Sequence, residues 1–351
     1  RIVMPSETAK RYSIEQIRTL GEKALVENGL SYQSASGVVD SMLQADMNGV
    51  STHGIRMLSG YVSRLQSGQF SVADAEITKQ TPAFTSIDAK NCIGAVSAIK
   101  ATEIAIEKAS EFGVHTVFVK HCNTYGPAFY YVELMAQKGL IGFTCSNSPA
   151  AMPAVNGLEQ MLGTNPFAFA CPTATQGNVI IDMATSIVAK SRFETARLNG
   201  ESLQPGWALD RNGNPTTDPV EAIKGFVLPM AGYKGYGIAM MIDMMSGLIS
   251  GSAYLNKVGK FYSKDGAGMN VGHMFMAVDP KVVFEGDFYK EADCFVNTLR
   301  SSKCIPGKTI TMPGDNRKSK KIEALSNGII LTEDTVKKLE ELFGVALIAT
   351  K

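Results

Sequence analysis

Between residues 83 and 183 the chain switches repeatedly between two hydrophobic periods, and this alternation limits the fold more than any other feature. Residues 94–112 form an alanine-rich helical block closed by Gly113, and the apolar run 114–120 that follows has the length of a buried strand. A helical block at 125–138 and a strand at 140–146 repeat the pair, and two more β-prone runs lie at 167–171 and 179–183. Such blocks bury their apolar faces as a sheet covered by helices, so an α/β fold with a mixed sheet is predicted.

The flanks read differently. Ser13 followed by Gln16 has the form of a capping box, and Ile14, Ile17, Leu20 and Leu25 recur at near-helical spacing up to Gly29. A second helix over 34–48 leads into Gly49-Val50-Ser51-Thr52-His53-Gly54, and helical spacing resumes over 55–65, which places His53 at a junction between two helices. Near the other end, 285–301 and 332–343 are amphipathic helices, the second stopped by Gly344. The expected division is a helical domain of 10–80 with 300–351 and an α/β cofactor- and substrate-binding domain of 81–299. Within the latter, 205–219 is a Pro-, Gly-, Asn- and Asp-rich surface excursion, 273–278 is a strand, and the Met- and Gly-rich helix 234–250 is expected to be deeply buried.

Lys and Arg total 34 against 33 Asp and Glu, so no net field favours nucleic acid or an anionic membrane, and neither is expected as a partner. The one dense basic run, Arg317 to Lys321, reads either as a solvated loop and helix entry or as a phosphate contact. Six cysteines without C-x-x-C spacing fit reduced thiols, so no metal is expected. The most hydrophobic stretch, 238–249, is interrupted by Asp243 and too short for a membrane span, and residues 1–12 carry no apolar targeting core. A cytoplasmic protein is expected.

Neither the G-x-G-x-x-G fingerprint nor a P-loop is present. Instead there are separated, glycine-punctuated polar motifs: Thr52-His53-Gly54, Asn123-Thr124-Tyr125-Gly126, Gly163-Thr164-Asn165-Pro166, Asp182-Met183-Ala184-Thr185-Ser186, Gly232-Tyr233-Lys234-Gly235-Tyr236-Gly237 and Pro313-Gly314-Asp315-Asn316. Taken singly, His53 reads as a helix cap, 163–166 as a turn and Lys234 as a surface lysine.

Taken together, they resemble the NAD(P)-dependent malate/L-lactate dehydrogenase family that lacks a Rossmann domain, which includes ureidoglycolate dehydrogenase, sulfolactate dehydrogenase and diketogulonate reductase. The likeness runs over about 14–343. Three stretches carry most of it: Ala45-Asp46-Met47-Asn48-Gly49-Val50-Ser51-Thr52-His53-Gly54, Leu162-Gly163-Thr164-Asn165-Pro166-Phe167-Ala168-Phe169, and Leu228-Pro229-Met230-Ala231-Gly232-Tyr233-Lys234-Gly235-Tyr236-Gly237.

The resemblance implies a mixed-sheet fold of non-Rossmann type and hydride transfer between a nicotinamide and a small 2-oxo or 2-hydroxy acid. It also implies NAD as cofactor, with NADP as the alternative, and a homodimer with the cofactor close to its interface. By position, Ser148, Ile181, Asp182, Met183, Ala184, Thr185, Ser186, Ile187, Tyr233, Lys234, Gly314, Asp315 and Asn316 would contact the cofactor. His53 takes the place of the catalytic histidine, and Arg56, Thr124 and Tyr125 fall among substrate-binding positions. The residue types suit these roles: a carboxylate accepts from ribose hydroxyls, a lysine pairs with phosphate, and histidine donates a proton near neutral pH.

Two positions depart from the family pattern. Thr124 stands where many members carry a second active-site histidine, and His121, three residues earlier, is at an odd offset that turns it to the other face of an extended segment. Met57 stands where many members carry the arginine that clamps a substrate carboxylate, with Arg56 one residue before it. Dicarboxylates are therefore expected to be poorer substrates than 2-oxo acids with neutral or apolar side chains. Reduction of a cyclic or acyclic 2-imino acid, and a catalytically weakened cofactor-binding relative, are the alternative readings.

Overall fold

The computed structural model describes residues 10–261 and 268–350. The alternating blocks build a seven-stranded sheet in the order Glu76–Gln80, Phe84–Asp88, Val114–Cys122, Val271–Val278, Ile141–Ser146, Phe167–Cys171, Val179–Met183. Phe84–Asp88 and Val114–Cys122 run parallel and are joined by the crossover helix Gly94–Phe112, as parallel neighbours require. The remaining pairings are antiparallel.

One face of the sheet is covered by Gly94–Phe112 and Ala128–Gln137. There Val117, Val119, Ala168, Ala170, Phe275 and Ala277 of the strands meet Ala98, Ala101, Phe129 and Val132 of the helices. The alternate strand residues Phe118, Phe143, Phe167, Met274 and Met276 point the other way, around Cys145 and Ile242.

Most strand and helix bounds follow the sequence pattern, and the departures have local causes. The helix expected over 125–138 begins only at Ala128, because Gly126 takes a left-handed φ of 81° and Pro127 is extended. The edge strand Glu76–Gln80 is exposed throughout, so no buried face imprinted an apolar alternation on it. The excursion at 205–219 folds into part of a small three-stranded sheet with Phe226–Val227.

The segment expected to be deeply buried is not. Helix Tyr233–Ile242 runs into a π-helical turn, Asp243–Leu248, and buries Gly235, Ala239 and Ile242, yet Met240, Met241, Met244, Met245, Leu248 and Ile249 are exposed. An all-round apolar pattern looks the same whether a flank meets its own core or faces outward.

Segments from both ends of the chain form a helical layer with its own core. Ile14–Glu27, Tyr32–Met47, Leu58–Gln66, Asp315–Asn327 and Glu333–Phe343 pack around Ile17, Leu25, Val39, Leu43, Leu58, Ala324 and Leu339. Hydroxyl caps start three of these helices: Ser13 accepts from the Gln16 N–H, Ser31 from Ser34 and Thr332 from Thr335. Strand Arg11–Tyr12 pairs with Ile329–Ile330 and ties the ends together. Among the described residues no helix is long and apolar enough to cross a membrane.

Candidate active site

Helix Tyr32–Met47 ends at Asn48, and Gly49 turns the chain with a φ of 74°. Two short 3-10 turns follow, Ser51–His53 and Ile55–Met57, before helix Leu58–Gln66 begins. Asp46, in the last turn of the first helix, reaches across: its Oδ2 accepts from the Ile55 N–H at 2.7 Å. Gly54 leaves room for this carboxyl group, since a Cβ there would lie 2.0 Å from Asp46 Oδ1 and displace it.

The result is a loop that exposes His53 and, three residues on, Arg56, whose charge is felt at the imidazole. His53 keeps accessible surface, yet its surroundings are crowded with protein, and this desolvation together with the Arg56 guanidinium lowers its pKa. Burial pushes the Asp46 carboxyl up to about 7, against the opposing pull of its Ile55 hydrogen bond and of Arg56. Met57 packs against the helical core. Of the two neighbouring positions, 56 is therefore the one whose side chain is presented outward. Sequence reasoning gave Asp46 no role; its only signal was a place in the same matched stretch as His53.

The Asn123-Thr124-Tyr125-Gly126 segment is largely internal. Asn123 is buried and donates to Asn91 Oδ1 and the Cys92 carbonyl, both at 2.9 Å, while Thr124 is half-buried. Tyr125, expected at the substrate, is only 2% exposed and stacks between Tyr131 and His273, with ring centroids 5.1 and 4.4 Å away. It belongs to the aromatic core. His273 donates through Nε2–H to the Asn123 carbonyl (3.0 Å), and burial depresses its pKa to about 4, so that ring is a neutral core group. His121 does not substitute at Thr124: its Nδ1 lies 3.0 and 3.1 Å from the two carboxylate oxygens of Asp88.

The expected cofactor residues lie on four stretches of chain that hydrogen bonds tie to one another. A Cβ on Gly163 would lie 2.2 Å from the Ser148 carbonyl oxygen, so the chains touch there, and Ser148 N–H donates to Asn165 Oδ1 (3.1 Å). Asn165 donates in turn to the Ala239 carbonyl (2.8 Å), on helix Tyr233–Ile242. Thr185 donates to the Thr164 carbonyl through both N–H (2.9 Å) and Oγ1 (3.0 Å), and its own carbonyl accepts from Met230 N–H (2.9 Å). Ile187 N–H donates to the Leu228 carbonyl at 2.8 Å.

Within the run, Met183 and Ile187 are exposed, Ile181 and Ala184 half-buried, and Thr185 and Ser186 buried. Asp182 has an engagement within the protein that the sequence did not suggest. Its Oδ2 accepts from Phe129 N–H (3.0 Å) at the start of helix Ala128–Gln137 and faces Arg317 at 3.9 Å, and burial raises its pKa.

Gly314, Asp315 and Asn316 lie at the start of helix Asp315–Asn327, which Arg317 pins to strand Val179–Met183 by donating to the Ile180 carbonyl (2.7 Å). Asp315 is held by Arg300 (2.8 and 3.0 Å), which lowers its pKa, and Asn316 is exposed. The basic run is thus helical, and its Lys320 side chain lies against Gly49, just ahead of the His53 loop.

This locus suits a dinucleotide. Tyr233 and Lys234 are exposed at the start of a 10-residue helix, and Lys234 makes no ion pair among the described residues. Gly232 and Gly237 border open space, so the backbone is approachable, while Gly235 is compelled by the Met230 carbonyl, 2.2 Å from where a Cβ would stand. A cation at a helix N-terminus with free backbone around it favours phosphate.

Comparison with known proteins identifies the family. The family model described as malate/L-lactate dehydrogenase matches residues 12–340. Malate/(S)-sulfolactate dehydrogenase of Methanothermus fervidus is 33% identical over 94% of this chain and 96% of its own. Delta(1)-pyrroline-2-carboxylate reductase of Ancylobacter novellus is 28% identical over 95% and 97%. Among solved structures, sulfolactate dehydrogenase from Methanocaldococcus jannaschii superposes with a TM-score of 0.90 at 30% identity, covering 96% of this chain and 98% of that one. By fold, by motif order and by extent of match, the chain belongs to the malate/L-lactate dehydrogenase family.

Proposed function

We propose that this protein transfers a hydride between a nicotinamide cofactor and C2 of a small 2-oxo or 2-hydroxy acid, with NAD as the cofactor and NADP as the alternative. The observation that carries the reading is the loop that exposes His53 and, three residues on, Arg56, within the span that matches the family. The bound nicotinamide supplies or takes up the hydride. Reduction builds negative charge on the substrate oxygen, and His53 relieves it by donating a proton; in oxidation the same ring accepts one. Arg56 anchors the substrate carboxylate through charge-assisted hydrogen bonds. Ser148, the run 181–187, Tyr233, Lys234 and the turn 314–316 border the cofactor.

Thr124 favours a second substrate class. A protonated 2-imino acid already carries the proton that a ketone must acquire, so its reduction asks less of acid residues, and one such acid is missing where Thr124 stands. Turnover of 2-oxo acids and cyclic imines with NADH and NADPH, run side by side, tests both. Absence of turnover with either class would leave a cofactor-binding relative without this chemistry.

The exposed Met240, Met241, Met244, Met245, Leu248 and Ile249 support a homodimer, since monomers seldom leave such a surface in water. A monomeric mass in solution at assay concentration would remove that part of the reading. For the cofactor, Lys234→Ala is expected to raise the nucleotide dissociation constant roughly tenfold by removing one charge-assisted phosphate contact, with a smaller change in substrate KM. An unchanged dissociation constant in the folded variant would detach Lys234 from the phosphate.

A further inference from the structure

The two 3-10 turns around His53 lack what usually fixes such segments. Neither Ser51–His53 nor Ile55–Met57 has a side-chain cap from its own N-cap residue; in the second turn that residue is Gly54, which has no side chain to offer. The Ile55 N–H is nevertheless bonded, to Asp46 Oδ2 at 2.7 Å, and the carboxyl group fills the space against Gly54. The Ile55 side chain is fully buried in the helical core, so backbone and side chain are both held two residues beyond the histidine.

We infer that Asp46 is the positioning residue of His53: from the end of the preceding helix it supplies the cap that Gly54 cannot, and so sets where the imidazole is presented. The inference rests on His53 being the proton donor. A carboxyl group accepts the Ile55 hydrogen bond whether or not it is protonated, so the restraint holds on both sides of neutrality. Arg56 lies in the turn that this bond starts.

A misplaced acid slows chemistry without loosening the nucleotide. Asp46→Ala is therefore expected to lower kcat at least tenfold with the cofactor dissociation constant unchanged. Asp46→Asn, whose side-chain oxygen still accepts from Ile55, should recover most of the loss. The deciding measurement is Asp46→Ala in a His53→Asn background, where it should cost nothing further because the group it positions is gone. An equal loss in both backgrounds, or full kcat in the folded single variant, overturns the inference while leaving the His53 assignment intact. If Asp46→Ala does not fold, Gly54→Ala displaces the same carboxyl and is read by the same two-background comparison. Native rates in His53→Asn alone would overturn both the inference and the assignment beneath it.

Discussion

His53→Asn is expected to lose on the order of 10² to 10⁴-fold in kcat while folding normally and binding the cofactor with unchanged affinity. Asparagine keeps polarity and part of the ring's volume but has no proton to give at working pH. The native enzyme should also show the titration of this group. Crowding and Arg56 lower the His53 pKa, so protonated donor is lost as pH rises through a value below that of a free histidine. Reductive kcat/KM, which reports the free enzyme, should fall over that interval, and oxidative kcat/KM should rise over it. Both limbs should vanish in His53→Asn. A variant that reduces a good substrate within a few-fold of the native rate would show that the proton comes from another group.

Arg56→Gln should lower kcat/KM for 2-oxo acids by about 10²-fold, mostly through KM, because a carboxylate loses a charge-assisted and potentially bidentate partner. A second effect separates this from general damage. Removing the cation beside His53 relieves part of what depresses the histidine pKa, so the pH limb of kcat/KM should move toward alkaline pH. An unchanged KM would mean that the carboxylate is held elsewhere, and an unmoved limb would mean that Arg56 and His53 are not electrostatically coupled. Position 57 offers no replacement, since Met57 packs against the helical core.

The fold was largely legible because its strands are buried on period-two faces and its helices on wide apolar stripes. Gly94–Phe112, Phe167–Cys171 and Val179–Met183 have the bounds their patterns imply. Glu76–Gln80 left no such trace, being exposed along its length, and the methionines of 240–245 gave the pattern of a core they do not occupy. At the site, motif matching singled out residues by type and position but not by orientation. Tyr125 was misplaced because an aromatic residue beside a polar motif reads the same whether it lines a cleft or a core. For Asp182 the motif suggests a ribose contact and gives no sign that one carboxylate oxygen also caps a helix. Asp46 was invisible for the opposite reason: its partner is a backbone N–H nine positions away in sequence, and backbone groups leave no residue signature.

The helix Asp315–Asn327 imposes a constraint of phase rather than of residue type. Asn316, Lys320 and Ala324 are four apart, so they share one stripe along the rod. Its first member stands in the turn read as facing the nucleotide, its second braces Gly49 ahead of the His53 loop, and its third is embedded in the helical core. Adding or deleting one residue between Asn316 and Lys320 would rotate these by about 100° relative to one another. The distance in sequence between the two ends of the chemistry is thus locked as firmly as a gear ratio, although the residues that keep it lie at the far end of the chain from His53.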